Sequence, residues 1–130
     1  MGTSMRKDQC RKAALSYFDR VIKGDIEGAM AMLADSATMW IPDRGTMTKP
    51  QIKELLSFAR NNFKGAPNFK ALGSTAEGGR VALECELGVD LKSGKRYENK
   101  YHVLFEFDGD KIKAIREYTD SAPARAAFGG

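Results

Sequence analysis

The segment KIKAIREYTD, Lys111 to Asp120, reads as a β-strand carrying a glutamate, Glu117, in its second half. Ile112, Ala114, Arg116, Tyr118 and Asp120 alternate with Lys113, Ile115, Glu117 and Thr119. That alternation does not choose the face that turns to the core. On the outside, Glu117 is a solvated charge or the cross-strand partner of a lysine. In an apolar cavity, loss of hydration raises its pKa and makes it a general base near neutrality.

Few other side chains offer chemistry. Tyr17 lies on an apolar helix face, as a core tyrosine or as a hydrogen-bond donor to a ligand. Asn99 and Tyr101 fall on one face of a later strand, where they either bind a ligand or fill the core. His102 is the only histidine, so no set of imidazoles exists for a metal site, and it falls on the mixed strand face. Trp40 and the Met30, Met32 and Met39 group read as apolar wall, and Cys85 as a core thiol. No glycine-rich phosphate loop or serine-nucleophile elbow appears. What remains is acid–base chemistry with no cofactor, neither metal nor nucleotide.

The elements that position these groups fall into two halves. From Cys10 to Ile22 apolar residues recur at helical spacing, with Gly24 as C-cap and Asp25 as N-cap of a second helix ending near Ala34. Thr38 to Ile41 is a short extended piece stopped at Pro42-Asp43-Arg44-Gly45. Thr48-Lys49-Pro50-Gln51 is a capping box with proline in the first turn, opening a third helix. After Gly65 the period falls to two. Val81 to Leu91 and Tyr97 to Phe107 each alternate apolar and mixed positions, with turns at Gly78-Gly79, Ser93-Gly94 and Asp108-Gly109. These predict an antiparallel meander of four long strands covered by three N-terminal helices, an α+β fold with room for a small-molecule cavity between the layers.

Composition narrows the class. A chain of 130 residues, 42% hydrophobic and 29% charged, is expected to form one domain over 1–130. The net charge of +4 is spread among acids and apolar residues, as on a solvated face rather than a nucleic-acid surface. No apolar run approaches the ~18 residues of a membrane span. The N-terminus carries no secretory apolar segment, and Cys10 and Cys85 read as separate thiols, so the expected compartment is the cytoplasm.

The run YFDRVIKGDIEGAMAMLADSATMWIP and the terminal FEFDGDKIKAIREYTD resemble the nuclear transport factor 2-like superfamily, within it the SnoaL-like and ketosteroid-isomerase-like group. The resemblance runs from about Arg6 to Asp120. It implies a cone: three N-terminal helices packed on a strongly curved antiparallel β-sheet, commonly dimerising through the sheet's outer face. The superfamily includes isomerases, cyclases, hydrolases and non-catalytic binders, so the fold alone does not assign the chemistry.

Residue by residue, the resemblance implies the following. Tyr17, eight residues before Asp25, matches the tyrosine with which ketosteroid isomerases hold the substrate oxyanion. Their general-base aspartate is replaced by Ile41 and their protonated acid by Val103, so that mechanism lacks two of its three groups. Ile115-Arg116-Glu117-Tyr118-Thr119-Asp120 is similar to the closing strand of limonene-epoxide-hydrolase-like enzymes, which assigns water activation to Glu117. Their aspartate–arginine pair is missing from the preceding strand, where Asn99, Tyr101 and Val103 stand. The resemblance turns Ile115, Glu117 and Thr119 toward the cavity. The resulting expectation is a homodimer that binds a small hydrophobic molecule, with Glu117 and Tyr17 catalytic. Trp40, Ile41, Asn99, Tyr101, Val103, Ile115 and Thr119 would bind the substrate. The alternative is a non-catalytic ligand-binding or association domain.

Overall fold

Helix α1, Thr3–Lys23, buries Cys10, Ala14 and Tyr17, residues four and three apart that share one face. The computed structural model to which it belongs describes residues 3–129, with side chains from Arg6 onward. Met1, Gly2 and Gly130, the ends of the expected single domain, lie outside the described residues. Gly24, at φ 85°, turns the chain out of α1, a backbone angle that a side chain would strain. Asp25 then caps α2, Ile26–Ala31, its carboxylate accepting from the Gly28 N–H at 2.9 Å.

Helix α2 stops before the expected Ala34 because Leu33 already belongs to strand β1, Leu33–Ile41. The Ile112 N–H donates to the Met32 carbonyl at 2.9 Å, so tertiary pairing overrides local helix propensity. After a tight turn with Asp43 at φ 71°, β2, Gly45–Thr48, pairs back on β1. The expected capping box opens α3, Lys49–Asn62, with Gln51 Oε1 accepting from the Thr48 N–H at 2.8 Å.

The expected meander follows: β3, Phe63–Glu77; β4, Arg80–Leu91; β5, Arg96–Asp108; and β6, Lys111–Thr119. All three of its pairings are antiparallel, and the curved sheet has the order β2-β1-β6-β5-β4-β3. One pairing, β1 with β6, is parallel, so the sheet is mixed. The strands' own alternation could not set that direction, because a helix and four strands separate the two partners in the chain.

The face of β6 is settled by a bulge. Phe107 pairs with Ile112 and Glu106 with Ala114, which leaves Lys113 as an extra residue. The insertion switches the side-chain phase, so Ile112 and Ile115 are both buried although three residues apart. Beyond it Phe105 faces Ile115, Val103 faces Glu117 and Tyr101 faces Thr119, all on the helix-facing side. His102, Leu104, Arg116 and Tyr118 therefore share the opposite face.

A fourth helix, α4, Ala122–Phe128, was not anticipated from the sequence. Its Ala127 joins a small second core with Val89, Leu91 and Tyr97, beside the main core under α1 and α3. Burial of side chains such as Phe105, Ile52 and Leu83 drives the main core at roughly 1.5–3 kcal/mol each. Among the described residues no helix is long and apolar enough to cross a membrane. Cys10 and Cys85 are buried free thiols.

Candidate functional site

Between the helices and the inner sheet face lies a cavity of about 410 Å³. Helix α1 contributes Phe18 and Val21, and α3 contributes Leu55, Leu56 and Ala59. Met39, Phe69, Cys85 and Leu87 come from the strands, and Phe128 closes the end from α4. The wall is thus predominantly apolar, and Glu117 is set into it.

Glu117 is half-buried, and the surface it retains opens on this cavity. Its pKa is pushed from 4.5 up to about 7, and desolvation is the sole cause. Its register partner is Val103, which is fully buried and offers neither charge nor hydrogen bond. Near pH 7 both its protonated and ionised forms are populated, as a residue that both takes and returns a proton requires.

Four groups surround Glu117 closely enough to feel its charge. Burial first, and then that charge, raise Tyr17 well above the ordinary phenol range and push Cys85 up to about 12, a thiol held protonated. Tyr101 is raised by burial, by Tyr97 and by Glu117. Tyr97 is raised by burial, partly offset by its hydrogen bonds with Tyr101 and Asn99. The Tyr97 and Tyr101 hydroxyls hydrogen-bond each other, and the Asn99 Nδ2 donates to the Tyr97 oxygen at 3.2 Å. A second Asn99 bond, to the Asp120 carbonyl at 2.8 Å, fixes the amide.

Of the residues expected from the sequence, Glu117, Tyr101, Ile41 and Thr119 line the cavity. Tyr17 lies beneath the wall, 1% exposed and edge-on to Phe105, and its hydroxyl has no hydrogen-bond partner. Three of the expected ligand contacts lie elsewhere. Val103 and Ile115 face inward but are consumed by the main core. Asn99 does not line the cavity and reaches it only through Tyr97.

Trp40 is a fourth correction. It pairs with Arg116 on the outer face and packs on Tyr118 with ring centroids 5.3 Å apart. One residue further along, Ile41 and Glu117 are both at the cavity wall. The period-two alternation of β1 therefore allows only one of Trp40 and Ile41 to face inward.

Sequence reasoning missed the rim. Asp43, Arg44, Arg60 and Arg125 border the cavity, and Arg125 donates to the Asp43 carboxylate and to Ser121 Oγ. The signals for α4 were present in SAPARAAFGG: a proline in the first turn, alanines, and Gly129, which takes φ 70° as C-cap. Among the described residues no three His, Cys, Asp or Glu side chains converge as a metal site would need.

The model of the SnoaL-like domain family matches residues 14–115. The chain belongs to that family. The matched span contains Tyr17 and ends two residues before Glu117, so the SnoaL-like match does not itself reach the cavity carboxylate. No curated protein matches the chain by sequence. Solved structures of the same fold are similar over nearly their whole length. A nuclear transport factor 2-like protein from Anabaena variabilis has a TM-score of 0.82 at 23% identity, covering 95% of this chain and 96% of that one. A putative isomerase from Bacillus subtilis has a TM-score of 0.84 at 15% identity, covering 96% of each. An LEH-like epoxide hydrolase of M. tuberculosis has a TM-score of 0.77 at 17% identity, covering 95% of this chain and 92% of that one. At these identities the likeness is one of fold.

Proposed function

We propose that the protein binds a small hydrophobic molecule in the cavity and moves a proton on it, with Glu117 as general acid–base. The observation that carries this reading is a carboxylate in an apolar wall, raised to about 7 by desolvation alone. The suited reaction is proton abstraction next to a carbonyl, as in an isomerase or a cyclase. Hydrolysis fits less well, because the cavity's other carboxylate, Asp43, is at the rim and bound to Arg125.

The developing oxyanion needs a donor. Asn99 donates to Tyr97, and either hydroxyl of the Tyr97–Tyr101 pair can donate to the other; when Tyr97 donates, the Tyr101 proton is free to point into the cavity. Tyr17, whose buried hydroxyl is unpartnered and feels the Glu117 charge, supplies a second donor to that carboxylate when it is ionised. We assign the working molecule as a homodimer through the outer sheet face. Two free thiols accord with a reducing compartment, the cytoplasm.

A second reading, a non-catalytic binder, is favoured by one feature: Ile41 and Val103 are apolar where isomerases of the superfamily hold their acids. Solvent-deuterium exchange into a panel of apolar ketones, followed by NMR, separates the two. The expected result is exchange by the parent and a fall of about 10²-fold or more for Glu117→Gln. Equal exchange by both proteins sinks the catalytic assignment, and ketone binding without exchange by either supports the binder.

A further inference from the structure

The geometry points to a ligand that is an apolar molecule with a carboxylate, its anionic group held at the rim by Arg60 with Arg44. This deepens the proposed function and rests on the same cavity being the ligand site. The wall is apolar, yet three guanidinium groups border it, from Arg44, Arg60 and Arg125. Arg125 is spent on Asp43 and Ser121. Among the described residues, no carboxylate pairs with Arg60 or Arg44.

Arg60 is the decisive one. It is half-buried, on the last turn of α3, and its side chain lies over Gly24. A Cβ added at Gly24 would stand 2.8 Å from Arg60 Nε, so the missing side chain of Gly24 makes the place where this guanidinium rests. A partly desolvated cation kept beside an apolar cavity without a counter-ion is costly unless an anion completes it. A guanidinium meets a planar carboxylate through two parallel N–H···O bonds, which orients the ligand as well as holding it. With the charged group fixed at the rim, the apolar body reaches inward to Glu117. The opposite arrangement would set an anion against the ionised Glu117.

The test uses naphthylacetate and its near-isosteric neutral amide, naphthylacetamide, titrated at pH 7 by calorimetry. The parent is expected to bind the acid about tenfold or more tightly than the amide. Arg60→Gln is expected to bring the acid down to the amide's affinity while leaving the amide unchanged, and Arg44→Gln to do so in part. Glu117→Gln should keep or enlarge the preference, since it removes a negative charge from the same cavity. A parent that prefers the amide, binds the two alike, or binds neither at millimolar concentration overturns the inference. So does an Arg60→Gln variant that keeps the full preference. None of these outcomes depends on proton exchange, so the inference and the catalytic reading fail separately.

Discussion

Val103 and Glu117 face each other across β5 and β6 on the inner side of the sheet. A valine opposite the carboxylate, rather than a second acid or a cation, leaves desolvation as the force that sets its protonation. The cavity wall thus holds a carboxylate whose pKa is tuned by what is absent around it. The polar groups nearest to it are phenols, the hydrogen-bonded Tyr97 and Tyr101 and the unpartnered Tyr17, which at neutral pH carry no charge.

The first prediction follows from linkage. Folding raises the Glu117 pKa from 4.5 to about 7, so the native state binds the proton more tightly than the unfolded chain. The favourable contribution is complete below pH 4.5 and is lost as pH rises through about 7, at a cost of roughly 3 kcal/mol. Glu117→Gln removes that dependence. Urea unfolding should find the variant about as stable as the parent at pH 4.5 and more stable by about 2–3 kcal/mol at pH 8.5. An identical pH profile for the two proteins, or a Glu117 carboxyl titrating near 4.5 by NMR, would remove Glu117 from the proposed mechanism.

How much of this was legible in the sequence varies with range. Local signals were sufficient for the capping box at Thr48–Gln51, the cap at Asp25 and the glycine turns of the meander, because each acts within a few residues. The face of Glu117 was not legible from alternation. The bulge at Lys113 breaks the period, and it exists only in the pairing with β5. The parallel partner of β6 and the outward turn of Trp40 are likewise long-range facts, set by register. The resemblance turned Ile115, Glu117 and Thr119 inward, as they are; what it left open is which inward residues reach the cavity, since Val103 and Ile115 share the inner face yet belong to the core. Arg60 carries no sequence signal at all, since its site is made by Gly24, far away in the chain.

A second prediction concerns Tyr17. Its hydroxyl is buried without a partner, a group that destabilises the fold by about 1–3 kcal/mol when nothing satisfies it. Tyr17→Phe should therefore leave the protein as stable as the parent or stabilise it by up to about 1 kcal/mol. The same change should lower deuterium exchange into a ketone ligand. A loss of more than about 1 kcal/mol in thermal unfolding would show that the hydroxyl is bonded in the native state, and the second donor would be withdrawn.

A third prediction separates the two attachments of α4. Phe128 packs on Tyr97 and Phe58 with ring centroids at 5.5 and 6.0 Å, whereas the Arg125–Asp43 pair is half-exposed. Arg125→Ala should cost no more than about 1 kcal/mol, and less at high salt. Phe128→Ala should cost about 1–3 kcal/mol and admit water beside Tyr97, since a partly buried ring loses less than a core one. Chemical denaturation of both variants in low and high salt checks the order, and a larger loss for Arg125→Ala would make the ion pair the principal attachment of α4.

The last prediction concerns the outer face of the sheet. Tyr118 is 50% exposed and packs on Trp40, and it stands beside the Arg116–Glu106 pair, bonded at 2.8 Å. That bond holds Glu106 below the ordinary carboxylate range, so the pair adds little net charge to the centre of the face. A large aromatic surface around a self-neutralised ion pair suits a second copy of itself, whose Tyr118 and Trp40 would gain cover without stranding a charge. Light scattering at micromolar concentration should give twice the 14.3 kDa chain mass for the parent. Tyr118→Glu places a carboxylate against its own symmetry mate and should return the mass to that of one chain, with an unchanged circular dichroism spectrum as the check on folding. A parent that scatters as a single chain, or a Tyr118→Glu variant that stays dimeric, would take the dimer away from this face.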